Sequence, residues 1–364
     1  MPRLIGMRGL VRLFRSAKAF CLLYWGAHLR RRGEVTEALR VLHGALSLCE
    51  ACANDRGRSK AHRELGVLYL FQHEVTLAEQ HLLTSLQICR ARGDREGEAR
   101  ALDNLGLLAK NCGKLEEGLV LLFEALHLFE RYGSSRLDHL IHVILESGWS
   151  LVLVSSITRA LLFGHRAQEA NALGDIGTTY RDLGDPANAL HYLERARRLK
   201  KLVGAGIGEA ADLLKMSFVY RLALHDLPHA LKYSRQALKL FKRYGYRIGE
   251  CEALGNIGMV EFEMGNYQGA IDHLTAGLEI ARKIEAKRIE ANIFLSLGQV
   301  YLALGDFRRS LELHKRALYL VSDELPTVRL RIHLTLGQLY EQLKNLELAY
   351  QQYLASINLI ESQK

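Results

Sequence analysis

The chain has 364 residues, with only four prolines, 31 glycines, 49% hydrophobic and 24% charged residues. Scarce proline argues against a turn-rich sheet protein, while abundant apolar residues without a three-residue glycine period exclude disorder and a collagen-like chain. The net charge of +9 is uneven: Arg3, Arg8, Arg12, Arg15, Lys18, Arg30, Arg31 and Arg32 precede the first acid, Glu34, and the remaining 41 basic residues meet 40 acidic ones.

A distributed nucleic-acid surface needs basic patches beyond that leading edge, so nucleic acid is not the expected partner. No run of 18 apolar residues occurs, so no membrane-spanning helix is expected. Residues 1–16 read as a basic N-terminal extension. Leu10, Leu13, Phe14 and Ala17 fall near one helical face. That pattern fits a solvated basic arm, a mitochondrial targeting segment or a helix lying on a membrane. Any membrane contact is expected only through residues 1–18. The apolar run Ala19–Ala27 superficially resembles a signal-peptide core, but Gly26, Ala38 and Ala45 already stand in the register of the repeat that follows.

That repeat occupies most of the chain. Glycines after an apolar residue recur at Gly26, Gly66 and Gly106, then at Gly177, Gly258, Gly298 and Gly337, with Ser217 standing in for one. Steps within each series are 39 to 41 residues. Three residues on stands Tyr69, Tyr180, Tyr220, Tyr301 or Tyr340, and seven on stands Gly33, Gly113, Gly184, Gly265 or Gly305. Twelve and nineteen on come small residues, for example Ala38/Ala45, Ala189/Ala196 and Ser310/Ala317. Each unit carries two apolar stretches at helical spacing, split by a glycine turn, which predicts a helical hairpin. The small pair, two turns apart on the second helix, lets neighbouring helices approach closely. Pro186 and Pro228 open second helices, where a missing N–H does no harm.

Leu-Gly-x-x-Tyr followed by small residues at +12 and +19, as in LGQVYLALGDFRRSLELHKRAL at 297–318, resembles the tetratricopeptide repeat. The resemblance covers roughly residues 17–364. Its period exceeds the family's usual length and lacks the proline that ends the second helix. This variant is similar to Pins/LGN-type adaptors and to bacterial Rap-like and signal-transduction ATPase sensor arms. The resemblance implies an all-α, right-handed α-solenoid, here with eight well-formed units and one degenerate unit, whose first helices line a concave groove.

The register breaks between Gly106 and Gly177, which are 71 residues apart where two units take about 80. Residues 17–133 form a block of three repeats and 167–364 a block of five. Between them, 134–166 reads as a shortened, degenerate repeat. One helix is expected to begin near Arg136 after Gly133, with a turn near Ser147-Gly148 and a second helix ending near Phe163. The segment is either a functional joint or a decayed repeat that kinks the array. At the other end no capping helix follows the last repeat, so its outer face is expected to be polar or covered by a partner or further domain.

Motif chemistry is sparse. Gly204-Ala-Gly206-Ile-Gly208 resembles a phosphate loop, but the same spacing recurs at Gly93/Gly97-Glu98 and Gly245/Gly249-Glu250, so it reads as the turn between repeats, with Glu209 near a helix N-terminus. Cys49-x-x-Cys52 lacks two further ligands at zinc spacing, and the six cysteines are expected to be buried free thiols. His139-x-x-His142 has no evident carboxylate partner. No metal, no cofactor, no small-molecule substrate and no catalysis are expected.

The groove remains. At six, three and two residues before and four after the glycine, the family pattern implies groove-facing positions, here Lys60, Arg63, Arg100, Asn104, Lys110, Asn171, Asp175, Arg181, Lys215, Arg221, Asn256 and Arg331. The asparagines offer both donor and acceptor to a ligand backbone, and the arginines suit carboxylates. Ordinary solvated helix faces look the same in sequence. Val67, Leu107 and Thr178 replace the asparagine of the chaperone-tail carboxylate clamp, so no specific partner is inherited. The expected partner is a protein or peptide, with acidic character favoured, held by a cytoplasmic adaptor. The alternatives are the sensor arm of a larger signalling protein and, if residues 1–33 act as a targeting segment, a mitochondrial assembly factor.

Overall fold

The computed structural model describes residues 7–32, 34–147, 151–321 and 326–361, with side-chain surroundings over 15–30, 34–131, 166–321 and 328–360. It divides into two compact units, Met1–Asp185 and Pro186–Lys364. The first unit holds α1 (Met7–Arg32), α2 (Val35–Ala51), α3 (Asp55–Phe71), α4 (Val75–Arg92), α5 (Arg95–Asn111), α6 (Leu115–Ser147) and α7 (Leu151–Asp182). The second holds α8 (Pro186–Leu202), α9 (Gly206–Leu222), α10 (Leu227–Arg243), α11 (Arg247–Glu263), α12 (Tyr267–Lys283), α13 (Lys287–Ala303), α14 (Phe307–Leu320), α15 (Pro326–Gln342) and α16 (Leu346–Glu361). The protein is an all-α solenoid of helical hairpins, and no strand occurs among the described residues.

The repeat positions take the roles their chemistry predicts. Gly113, Gly184, Gly265 and Gly305 have positive φ between the two helices of a hairpin, while His73 and Lys344 adopt the same strained conformation where the glycine is replaced. Gly93, Gly204 and Gly245, also at positive φ, make the turns between hairpins, as the sequence suggests for the supposed phosphate loop. Asn54, Asp94 and Asn266 cap the helices that follow through bonds of 3.0 to 3.2 Å to Gly57, Gly97 and Gly269 N–H. The small pairs are buried: Ala38, Ala45, Ala189, Ala196, Ser310 and Ala317 are all 0% exposed.

Within the first unit the backbones of α1 and α3, α3 and α5, and α5 and α7 approach closely, whereas among the described residues the even-numbered helices meet through side chains, as in the Arg90–Glu124 ion pair at 3.2 Å between α4 and α6. The second unit repeats this, with α9, α11, α13 and α15 adjoining in turn. In each unit the odd helices therefore form the tighter, inner layer.

The degenerate repeat takes a different form from the expected separate hairpin. Helix α6 runs unbroken through Gly133, and α7 through Gly164. The odd unit is thus absorbed into two long helices of 33 and 32 residues. The expected turn falls where α6 ends, and residues 148–150 lie outside the described residues, as do the side chains of His139 and His142. Among the cysteines, Cys49, Cys52, Cys89 and Cys251 are buried and free, but Cys21 and Cys112 are exposed.

A histidine cluster joins three helices of the first unit. The Nδ1 atoms of His62 and His81 lie 2.9 Å apart, and His43 Nε2 is 3.1 Å from the Tyr69 hydroxyl. One imidazole of the close pair must donate and the other accept, so they cannot both be protonated. Burial, then the charges of His81, Arg58 and His43, push His62 down to about 4. Burial and His43 lower His81 as well.

Two predictions follow from this packing. Ala189→Leu should destabilise by about 1–3 kcal/mol through overpacking, measured by urea denaturation. Because the depressed His62 prefers to be neutral when folded, stability should fall as pH drops from about 6.5 towards 4, where the unfolded chain binds more protons. A His62→Gln variant should show a shallower fall in melting temperature over that range than the parent.

Candidate inner-face binding site

Lys60, Arg63 and Arg100 come together. Placed on α3 and α5, they line one cleft of about 540 Å3 with Phe20, Tyr24 and Arg56. Asp94 and Glu96 are the two acidic groups on its wall, against four cations. The volume is that of an ordinary ligand cleft.

Most of the charges here are already paired. Glu64, 8% exposed, accepts from Arg30 at 3.2 Å and from Arg63 at 3.1 Å. Burial alone would raise its carboxyl, but Arg63 and Arg30 outweigh that and hold it below the usual range. Arg100 pairs with Glu96 through one nitrogen, while its buried Nε has no hydrogen-bond partner. Lys60 differs: its ammonium lies 3.9 Å from the centre of the Tyr24 ring and makes no ion pair among the described residues. Burial, then the charge of Arg63, lowers the Lys60 ammonium; burial and Arg63 also lower Arg100. Crowded, half-buried cations of this kind favour an incoming anion.

The next stretch of the inner face has the opposite character. Asp103 on α5 faces Asp175 on α7; its Oδ1 is buried and has no hydrogen-bond partner. Burial raises the Asp103 carboxyl well above the usual range, and Asp175 adds to the rise. Lys110 donates to Thr178 Oγ1 at 2.7 Å and pairs with Asp182 at 3.1 Å. Arg181 also pairs with Asp182, at 2.6 Å. Asn104 is bound at home, donating to the Arg100 carbonyl at 2.8 Å, and Asn171 is exposed.

In the second unit the predicted residues are scattered among internal contacts. Lys215 lies 3.9 Å from Asp212, which pairs at 2.8 Å with buried Lys200. Arg221 pairs with Glu263 at 2.6 Å. Arg331 makes no ion pair among the described residues, and burial followed by the nearby Arg221 charge lowers it. Asn256 is 4% exposed, so the structure places it in the core and not on an open face. Its Nδ2 donates to Ser217 and Ser234, each at 2.8 Å.

Sequence reasoning missed Phe20, Tyr24, Arg56 and Asp103. Phe20 and Tyr24 stand six and two before Gly26, on the counted positions of the first repeat, but are neither charged nor amide side chains. Asp103, three before Gly106, also holds one of those positions, and its burial against Asp175 is visible only in the structure.

The comparisons with known proteins agree with this architecture. The tetratricopeptide-repeat signature matches residues 170–206, 209–283, 249–321 and 330–363. The chain belongs to the tetratricopeptide-repeat family. A stretch of 122 residues is 29% identical to the regulatory protein AfsR of Streptomyces griseus, covering 32% of this chain and only 12% of that protein. Among solved structures, aspartyl phosphate phosphatase F from Bacillus subtilis superposes with a TM-score of 0.63 at 13% identity, over 94% of this chain and 84% of that one. The Rap conjugation gene regulator of plasmid pLS20, in complex with the Phr* peptide, gives 0.61 at 13% identity over 96% of each chain. At such identities the likeness is one of fold. The likeness to Rap structures expected from the sequence is thus present at the level of fold.

One prediction concerns Asp103. Its raised carboxyl favours the protonated form when folded, so its contribution is fully present below about pH 4 and is lost as pH rises through the folded value. Asp103→Asn mimics the protonated form, so the variant should melt at a higher temperature than the parent at pH 8, with the gap closing towards pH 4.

Proposed function

We propose that this tetratricopeptide-repeat protein is a non-catalytic interaction scaffold that holds an acidic partner segment on the inner face of its first unit. The observation that carries this reading is the cleft at Lys60, Arg63 and Arg100, where four cations face two acids and Lys60 is left without an ion pair. A partner carboxylate would bind Lys60 beside the Arg100 guanidinium, while Tyr24 and Phe20 offer apolar surface next to it. The reading takes support from a Rap regulator solved with the Phr* peptide, since the same fold there accommodates a peptide. The phosphatase among the similar structures shares the fold, and a shared fold does not carry a shared activity.

A second reading has one observation in its favour. The match to AfsR spans 12% of that regulator, so an array of this kind also occurs within a much larger regulatory protein. On that reading the array is a sensor arm, and the bound segment reports to other domains.

The test compares affinity purification from wild type with that from a Lys60→Glu, Arg100→Gln double variant. The partner should be lost by on the order of tenfold or more, with an unchanged circular dichroism melt. Charge reversal at Lys315 on α14, an even helix, should leave retention intact. A partner retained equally by the double variant would overturn the assignment.

A further inference from the structure

The N-terminal helix carries an exposed aromatic surface of which the inner-face reading uses only one edge, Phe20 and Tyr24. On α1 one side is buried: Ala19, Leu23, Ala27 and Leu29 are 0%, 2%, 7% and 2% exposed. The opposite side carries three large aromatic residues in the open, Phe20 at 57%, Tyr24 at 53% and Trp25 at 51%. Phe20 and Tyr24 have ring centres 4.7 Å apart, and Trp25 stacks on His28 at 5.5 Å. Earlier in the sequence, Leu10, Leu13, Phe14 and Ala17 continue the same three- and four-residue spacing that leads to Cys21 and Tyr24. Lys18 and Arg15 are exposed beside the aromatic side. No acid occurs before Glu34, and eight basic residues do.

We propose that the exposed aromatic face of α1 is a docking surface for an anionic phospholipid bilayer, with the helix lying in the plane of the headgroups. Tryptophan and tyrosine side chains settle at the boundary between headgroup and acyl chain, and flanking lysines and arginines are drawn to acidic lipids. Neither signal alone gives stable attachment; the combination of apolar burial and a basic rim does. The helix lies on the membrane and does not cross it, since among the described residues no helix is long and apolar enough to span one. A second copy of this chain suits the surface less well, because each would bring the same acid-free basic segment to the other. RNA suits it less well too, since the aliphatic part of the stripe cannot stack on bases.

Phe20 and Tyr24 also border the inner-face cleft, so Trp25 and Lys18, which do not line it, carry the test. The full chain is mixed with phosphatidylcholine vesicles with or without phosphatidylglycerol and floated on a density gradient. The parent should float with the acidic vesicles alone and be released by raised salt. Trp25→Gln and Lys18→Glu should each weaken binding, by about tenfold together, without altering the melt or the partner retention. In a Trp149→Phe background Trp25 is the sole tryptophan, and its emission should shift to the blue on acidic vesicles. Equal flotation with neutral vesicles, no flotation, or an unshifted emission would overturn the proposal. So would a dimer or an RNA complex that Trp25→Gln abolishes while flotation persists.

Discussion

A leucine seated on a glycine sets the geometry of these hairpins. A Cβ at Gly26, Gly66, Gly106 or Gly258 would lie 2.6 to 2.7 Å from Cγ of the leucine sixteen residues on, Leu42, Leu82, Leu122 or Leu274. No side chain larger than hydrogen fits without movement of that leucine. The same close approach brings the Ala78 and Ala270 carbonyls to 3.2 and 3.1 Å from the built position. The two helices therefore meet at one point, and the small residues at +12 and +19 let the next hairpin stack on the result. Variants of the lock obey the same space limit. Buried His314 fills the leucine's place opposite Gly298, and its Nδ1 reaches the Ser310 carbonyl at 2.7 Å. Where Ser217 replaces the glycine, its hydroxyl donates to the Ala230 carbonyl at 2.7 Å, so a hydrogen bond takes over from bare contact.

This packing decides which residues are free to bind anything. Because the backbones of the odd helices approach one another more closely than those of the even helices, polar side chains on the odd helices are crowded together. Crowding of charges in a half-buried layer forces pairing, and most of the inner face shows it: Arg30 and Arg63 on Glu64, Lys110 on Asp182, Arg221 on Glu263. Such groups are poor candidates for a partner, since each would have to leave an existing contact. Lys60 and Arg331 stand outside that pairing, and only Lys60 lies in a cleft with neighbouring cations and exposed aromatics.

The fold was readable from the chain because a glycine, a turn and two small residues each answer to a local steric limit that sequence states directly. The leucine at +16 stands in the sequence just as plainly, but leucine is common and gains meaning only when its glycine partner is known. Two features depended on more than local pattern. Gly133 and Gly164 look like helix boundaries in the sequence, yet an interior glycine costs a helix only about 1 kcal/mol, and long apolar neighbours carry α6 and α7 through. Asn256 was placed in the groove by its distance from Gly258, but the hydroxyl that replaces glycine in the preceding hairpin creates a buried polar pocket that claims its amide. Of the candidate site, the three cations of the cleft were legible as a pattern. The aromatic wall, Phe20 and Tyr24, holds the same register before Gly26, but its contact with Lys60 and the pairing of the neighbouring charges arise between helices and are not written in a local pattern.

The central claim is that partners meet this protein on the odd-helix layer of the first unit. A photoreactive amino acid placed at Lys60 and, separately, at Leu83 on the outward even helix α4 tests it most directly. Cross-linking in living cells should attach the partner through position 60 and leave position 83 unlabelled. Capture through position 83 with none through position 60 would contradict the account.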